Sequence, residues 1–147
     1  MKDFFIRRAN QDDLEQICKL LEESKLPLDG VADALNNFIV AEGNGLNVVA
    51  AAGLEVYGRF GLLRSVVVTP GWQGYGVGRA LTGEILSRAR ARNIDDVFLL
   101  TTTADGYFPS FGFVKIDRAD VPDDLQQSPE LRGACPDSAT VMKLSLV

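Results

Sequence analysis

The run Leu62-Leu63-Arg64-Ser65-Val66-Val67-Val68-Thr69-Pro70, followed by Gln73-Gly74-Tyr75-Gly76-Val77-Gly78-Arg79, decides the fold. A dense apolar strand crosses a glycine-rich turn and becomes a helix starting near Arg79, with Val77, Leu81, Ile85 and Ala89 on one stripe. Glycines let a backbone approach an anion closely. The first N–H groups of a helix lack intrahelical partners, and its dipole favours negative charge there. The segment is therefore a candidate cradle for a phosphate-bearing ligand.

Downstream, Asp95 to Thr103 reads as a strand whose Val97-Phe98-Leu99-Leu100 core is of the buried, parallel-sheet kind. Strand, helix and strand over this length make a right-handed crossover. Upstream, Phe38 to Ala41 and Val48 to Val56 are strands joined by a turn at Glu42-Gly43-Asn44-Gly45, and with the central strand they form an antiparallel meander. Phe4 to Arg8 is a first strand. Asn10-Gln11-Asp12-Asp13 caps a helix carrying Leu14, Ile17, Cys18 and Leu21 on one face, which ends before Pro27. Val31 to Leu35 is expected as a short second helix. Gly106 to Phe111 forms one or two helical turns, Phe113 to Ile116 a strand, Val121 to Gln127 a short helix, and Ala139 to Leu146 a final strand. Ser128 to Pro136 reads as irregular.

The 147 residues suit one domain with one core, burying roughly 70% of the unfolded chain's surface. No apolar run approaches the ~18 residues that cross a membrane, and Met1 to Arg7 lacks signal-peptide anatomy, so a cytoplasmic location away from membranes is expected. A net charge of −5 argues against broad nucleic-acid binding, so an anionic ligand must be met locally, with Arg79 and Arg64 as candidates. Cys18 and Cys135 have neither metal-ligand nor redox-pair spacing. The chain has no histidine, which excludes Ser-His-Asp and Cys-His catalysis and removes the commonest zinc ligand; no metal is expected.

Arg79 stands where a Rossmann GxGxxG needs its third glycine, and no Gly-Lys-Ser/Thr completes a P-loop. Gln73, Gly76 and Gly78 do fit Gln/Arg-x-x-Gly-x-Gly/Ala after an apolar strand, and Ala104-Asp105-Gly106-Tyr107-Phe108-Pro109-Ser110-Phe111-Gly112-Phe113 follows the next strand. These two blocks resemble the acyl-CoA signature and the Ala-x-x-Phe-Tyr-x-x-x-Gly-Phe block of the GNAT N-acetyltransferase superfamily, with matching order from Phe4 to Leu146. The resemblance implies a single α/β (mixed α+β) GNAT domain over residues 1–147: a mostly antiparallel sheet of six to seven strands with one parallel pair, flanked by about four helices. Several strings further resemble the arsenic-resistance N-acetyltransferase subgroup: Gly53 to Gly58, Leu62 to Val66, Leu100 to Ala104 and Cys135 to Ala139. The Leu-Thr-Thr run and the block after it are also similar to the acetyltransferase half of N-acetylglutamate synthases. Both relatives imply a small amine acceptor that is glutamate-like or an arsenic or phosphorus analogue, and the family's habit implies a possible homodimer.

In this resemblance the co-substrate is acetyl-CoA. Its pyrophosphate lies on the amides of Gly74, Tyr75, Gly76, Val77, Gly78 and Arg79 beside Gln73, its pantetheine arm pairs with Val66, Val67 and Val68, and Phe108 and Phe111 flank it. A backbone N–H near Val66 or Val67 holds the tetrahedral oxyanion. The amine attacks directly in a ternary complex. Many family members protonate the thiolate with a Tyr where this chain has Phe108, so the acid is water, no dedicated group, or the neighbouring Tyr107. Phe108 also admits a second reading, an acyl-CoA-binding or regulatory domain with little catalysis. Glu55, acting through water, is the candidate base. A guanidinium in an apolar strand needs a partner, so Arg64 either meets an acidic side chain such as Glu55 or clamps a substrate carboxylate. Ser65, Thr101, Thr102 and Thr103 are further candidates to orient the acceptor.

Overall fold

Alternating apolar residues and glycine turns build the sheet first. The computed structural model describes residues 2–45 and 47–147. Its strands are β1 (Phe5–Arg8), β2 (Phe38–Glu42), β3 (Val48–Tyr57), β4 (Phe60–Val68), β5 (Asp96–Thr101), β6 (Val114–Ile116) and β7 (Thr140–Ser145); its helices are α1 (Leu14–Glu23) and α2 (Val77–Ala91). The seven strands lie in the order β1-β2-β3-β4-β5-β7-β6. Every neighbouring pair is antiparallel except β4 and β5, the pair joined by the α2 crossover.

Each face of the sheet has its own cover. The α2 stripe Val77, Leu81, Ile85 and Ala89 is buried against Ile39, Ala52, Leu54, Leu63 and Leu99. On the opposite face, Ile17 and Leu21 of α1 pack on Phe38, Val40, Ala51 and Val67. The same face farther along holds Leu62, Phe98 and Val141 under Val121 and Leu125. Two separate covers on one face leave a gap between them.

Local chemistry explains the boundaries. Asp13 accepts from the Asn10 N–H at 2.8 Å and Asn10 accepts from Asp12 at 2.9 Å, the capping box that starts α1 through a short 3-10 turn. α1 closes with Lys25 in the left-handed region (φ 58) and the Leu26 N–H on the Leu21 carbonyl at 2.9 Å.

The expected helix at Val31–Leu35 is instead a succession of turns ending in a 3-10 turn at Leu35–Asn37. Val31 and Leu35 are buried as their spacing requires, but the stretch between left-handed Gly30 and β2 is too short to propagate a helix past its costly nucleus. Asp123–Gln127 is likewise a 3-10 turn rather than a helix. Among the described residues the flanking helices are thus the two α-helices, with short 3-10 turns and one irregular π-type turn at Glu130–Ala134 around them, and no helix is long and apolar enough to cross a membrane.

Candidate active site

The parallel pair does not run its full length. β4 and β5 pair only at Phe60 with Asp96, Gly61 with Val97 and Leu62 with Phe98. Beyond Leu62 both strands continue, but apart. The cause lies on the other edge of β4, where Gly53 faces Arg64 and Ala51 faces Val67, so Ser65 and Val66 together oppose Ala52. Ser65 takes φ +59 in this bulge, which bends β4 and leaves the β5-facing edge of Val66 to Val68 without a strand partner. Between the parted strands runs a groove of about 920 Å³.

One end of the groove is the glycine turn. Gly74 and Gly76 sit at φ +84 and +81, conformations that favour glycine, and Gly76 is the N-cap of α2. The first helical bond runs from the Ala80 N–H to the Gly76 carbonyl at 3.0 Å, so the amides of Val77, Gly78 and Arg79 precede the helical ladder. Gln73 donates to the Val68 carbonyl at 3.0 Å, tying the turn to β4. Gln73, Gly74, Gly76, Val77, Gly78 and Arg79 all border the groove. Tyr75 does not; its ring is exposed with the Lys2 ammonium over it, so only its amide belongs to the turn. Arg79 reaches Ser110 Oγ at 3.1 Å and lies over the Phe111 ring, which stands outside the groove lining and braces Arg79 from behind.

The aromatic block forms one wall. Phe108 is buried, packed edge-on against Phe113 and Tyr107, and presents only carbon to the groove. Tyr107 precedes the 3-10 turn Phe108–Phe111, and this irregular geometry lets it border the groove too rather than face away as on a regular helix. Its hydroxyl lies 3.6 Å from where a Cβ on Gly78 would stand, over the first turn of α2. Thr101 Oγ1 accepts from the Ala104 N–H at 2.9 Å and so caps the end of β5, while Thr102 and Thr103 are exposed at the rim.

The other end is charged and buried. Arg64 meets Glu55, the first of its two expected settings, with Nη1 at 2.6 Å from Oε2 and a side chain wholly out of solvent. The same guanidinium donates to Ser65 Oγ at 2.9 Å, to the Asp29 carbonyl at 2.6 Å and to the Pro27 carbonyl at 3.2 Å. It thereby knots the loop after α1 onto β4. Glu55 also accepts from the Tyr57 hydroxyl at 2.6 Å and does not border the groove. Burial and the Glu55 carboxylate push the Tyr57 phenol up to about 12.

A second carboxylate completes this cluster. Glu130 is buried, its Oε2 lies 3.5 Å from Arg64 Nε, and it borders the groove. Burial raises its carboxyl to about 7, with Glu55 adding to the rise and Arg64 opposing it. Cys135 borders the groove beside it, its thiol raised to about 12 by burial and the Glu130 charge. Exposed Lys25 stands at the same end and, among the described residues, has no carboxylate partner. Sequence reasoning missed Glu130, Lys25 and Cys135 as groove residues. Glu130 lies in the stretch read as irregular, and the only signal nearby was the string from Cys135 to Ala139.

The comparisons agree with this architecture. Residues 34–115 match the family described as the acetyltransferase (GNAT) domain. The chain is 31% identical over 121 residues to an amino-acid acetyltransferase of Mycobacterium tuberculosis, covering 76% of this chain and 69% of that protein. It is 31% identical over 134 residues to an amino-acid acetyltransferase of Ralstonia nicotianae, covering 84% of this chain but only 29% of that longer protein. Among solved structures, Rv2747 of Mycobacterium tuberculosis in complex with CoA and NLQ superposes with a TM-score of 0.82 at 26% identity, covering 97% of this chain and 99% of that one. The parted β4 and β5, the glycine turn opening α2 and these likenesses lead to one conclusion: the chain belongs to the GNAT acetyltransferase family.

Proposed function

We propose that the protein is an acetyl-CoA-dependent N-acetyltransferase acting on the primary amine of a small amino-acid-like acceptor, glutamate-like or an arsenic or phosphorus analogue. The observation that carries this reading is the parting of β4 from β5 beside a glycine turn whose amides precede the α2 ladder. That geometry fits the co-substrate: the amides from Gly74 to Arg79 would hold its diphosphate, and the unpartnered edge of Val66 to Val68 would take the amide-bearing arm. Acetyl-CoA supplies the activated thioester. The N–H of Val66 or Val67 would stabilise the oxyanion of the tetrahedral intermediate.

The acceptor belongs at the charged end, with Ser65, Thr102 and Thr103 along its path. The names of the two amino-acid acetyltransferases support an amino-acid-like acceptor. An unpaired Lys25 ammonium there would meet the acceptor's acid group, whereas Arg64 is engaged in the fold. Because Phe108 is carbon only and the Tyr107 hydroxyl lies over α2, thiolate protonation falls to water; an unperturbed thiol near 8.5 makes it a tolerable leaving group.

The test is CoA thiol release from acetyl-CoA with a panel of amines that includes glutamate and its phosphinic and arsinic analogues. Acceptor-dependent release is expected. Tight acetyl-CoA binding without release across the panel would favour the second reading, a binding or regulatory domain, for which Phe108 is the motive.

A further inference from the structure

We propose that Glu130 is the group that takes the proton from the acceptor's ammonium, in place of Glu55. This rests on the acetyltransferase reading. Glu130 borders the groove at the end opposite the glycine turn, and Glu55 does not. The two carboxylates share a single guanidinium inside the protein, so the cluster carries one negative charge more than it can neutralise. They share it unequally. Glu55 holds Arg64 at 2.6 Å and the Tyr57 hydroxyl at 2.6 Å, which fixes both of its oxygens in acceptor roles. Glu130 has the longer 3.5 Å contact to Arg64 and the weak donor of the Cys135 thiol beside it. A proton entering this cluster therefore goes to Glu130.

The groups facing Glu130 are Arg64 from β4, Glu55 from β3 with Tyr57 behind it, and Cys135 from its own turn with Arg118 beyond. Of these, burial and Glu55 favour the protonated form, and Arg64 and the Cys135 thiol favour the charged one. The resulting value of about 7 suits a base that works near neutral pH. The α-ammonium of a free amino acid is less acidic than a peptide N-terminus, which loses its proton near 8, so transfer to Glu130 is uphill and is drawn forward by attack of the neutral amine.

The ammonium gives one proton to the Glu130 carboxylate, and the neutral amine forms its N–C bond to the acetyl carbonyl. The tetrahedral intermediate collapses with cleavage of the C–S bond. The nitrogen's surplus proton passes through water to the thiolate, giving CoASH, and Glu130 returns its own proton to solvent.

Two measurements on the whole chain test this. In a carboxyl-carbon NMR titration, one Glu resonance should titrate near 7 and be absent from Glu130→Gln. A Glu130 midpoint below about 5, the ordinary carboxylate range, would overturn the proposal whatever the kinetics. In the kinetic arm, turnover with L-glutamate is compared with hydroxylamine, a nucleophile largely unprotonated at neutral pH. Glu130→Gln should lose about a hundredfold or more with the ammonium acceptor, together with the acidic limb of its pH profile. With hydroxylamine it should lose far less. Equal losses with both nucleophiles mean a structural role and overturn the proposal, as does finding the split in Glu55→Gln instead. If the wild-type protein releases no CoA with any amine, the acetyltransferase reading itself falls and this proposal with it. Release with an amine other than glutamate moves the comparison to that acceptor.

Discussion

Arg64 Nη1 lies 2.6 Å from Glu55 Oε2, and Nε of the same side chain lies 3.5 Å from Glu130 Oε2, so one buried guanidinium joins β3, β4 and the turn before β7. Its remaining donors hold the Pro27 and Asp29 carbonyls. Gly30 comes so close that a Cβ there would stand 3.2 Å from Nη1.

Replacing that cation leaves two carboxylates buried without it. Arg64→Met should therefore destabilise by roughly 3–5 kcal/mol, the usual result of removing one side of a buried ion pair. Urea unfolding measures it. A loss below about 1 kcal/mol, the range of an exposed pair, would show that the cluster is not holding the fold.

A second ion pair predicts a pH dependence. Asp13 accepts two 2.8 Å bonds from Arg7, which hold its carboxyl below the ordinary 3.8. A depressed carboxyl adds stability that is present above its unfolded value and is lost as pH falls through the folded one. Asp13→Asn should accordingly cost about 1.5–3 kcal/mol at neutral pH, the value of charged hydrogen bonds. The gap to wild type should shrink as pH drops below 3.8. A gap that stays constant down to strongly acid pH would refute the ion-pair account.

For the glycine turn, Gly76→Asp puts a side chain and a negative charge at the N-cap of α2, where φ is +81. The left-handed backbone costs about 1 kcal/mol of stability. Acetyl-CoA affinity should fall far more, by at least a hundredfold in calorimetric titration, or about 2.8 kcal/mol. Unchanged affinity would remove the diphosphate from this turn.

At the charged end, Lys25 occupies a left-handed position at φ 58, where glycine is the easier residue. Lys25→Gly deletes the ammonium with no backbone penalty and should raise stability by up to about 1 kcal/mol. The apparent Michaelis constant for a carboxylate-bearing acceptor should rise about tenfold, or about 1.4 kcal/mol. Its carboxamide analogue should be unaffected. Equal effects on both would remove Lys25 as the acid-group contact.

Tyr107 tests the departing thiolate. With its hydroxyl over the first turn of α2, 3.6 Å from the Cβ position of Gly78, Tyr107→Phe should raise the apparent Michaelis constant for acetyl-CoA by about tenfold, the value of one hydrogen bond to a charged group. It should leave kcat nearly intact. A large kcat loss with a vanished alkaline limb would instead make Tyr107 the general acid.

Much of this was legible along the chain because it depends on neighbours in sequence. The apolar run into Gly74 and Gly76, the stripe from Val77 to Ala89 and the order of strands are local patterns, and the structure keeps them: the stripe is buried, and β4 and β5 are the parallel pair. Helix periodicity and glycine's access to positive φ operate within a few residues, so they can be read without a fold. What only tertiary structure decided are relations between distant residues. The bulge at Ser65 that parts the strands depends on register with β3. Likewise, which of its two expected settings Arg64 takes, and the raised carboxyl of Glu130, depend on chains that close over them from elsewhere, since a carboxylate's burial is not set by its own stretch. The same glycine turn that announces an anion cradle in the sequence therefore becomes half of a groove only when β4 bends away from β5 and Glu130 arrives at the other end.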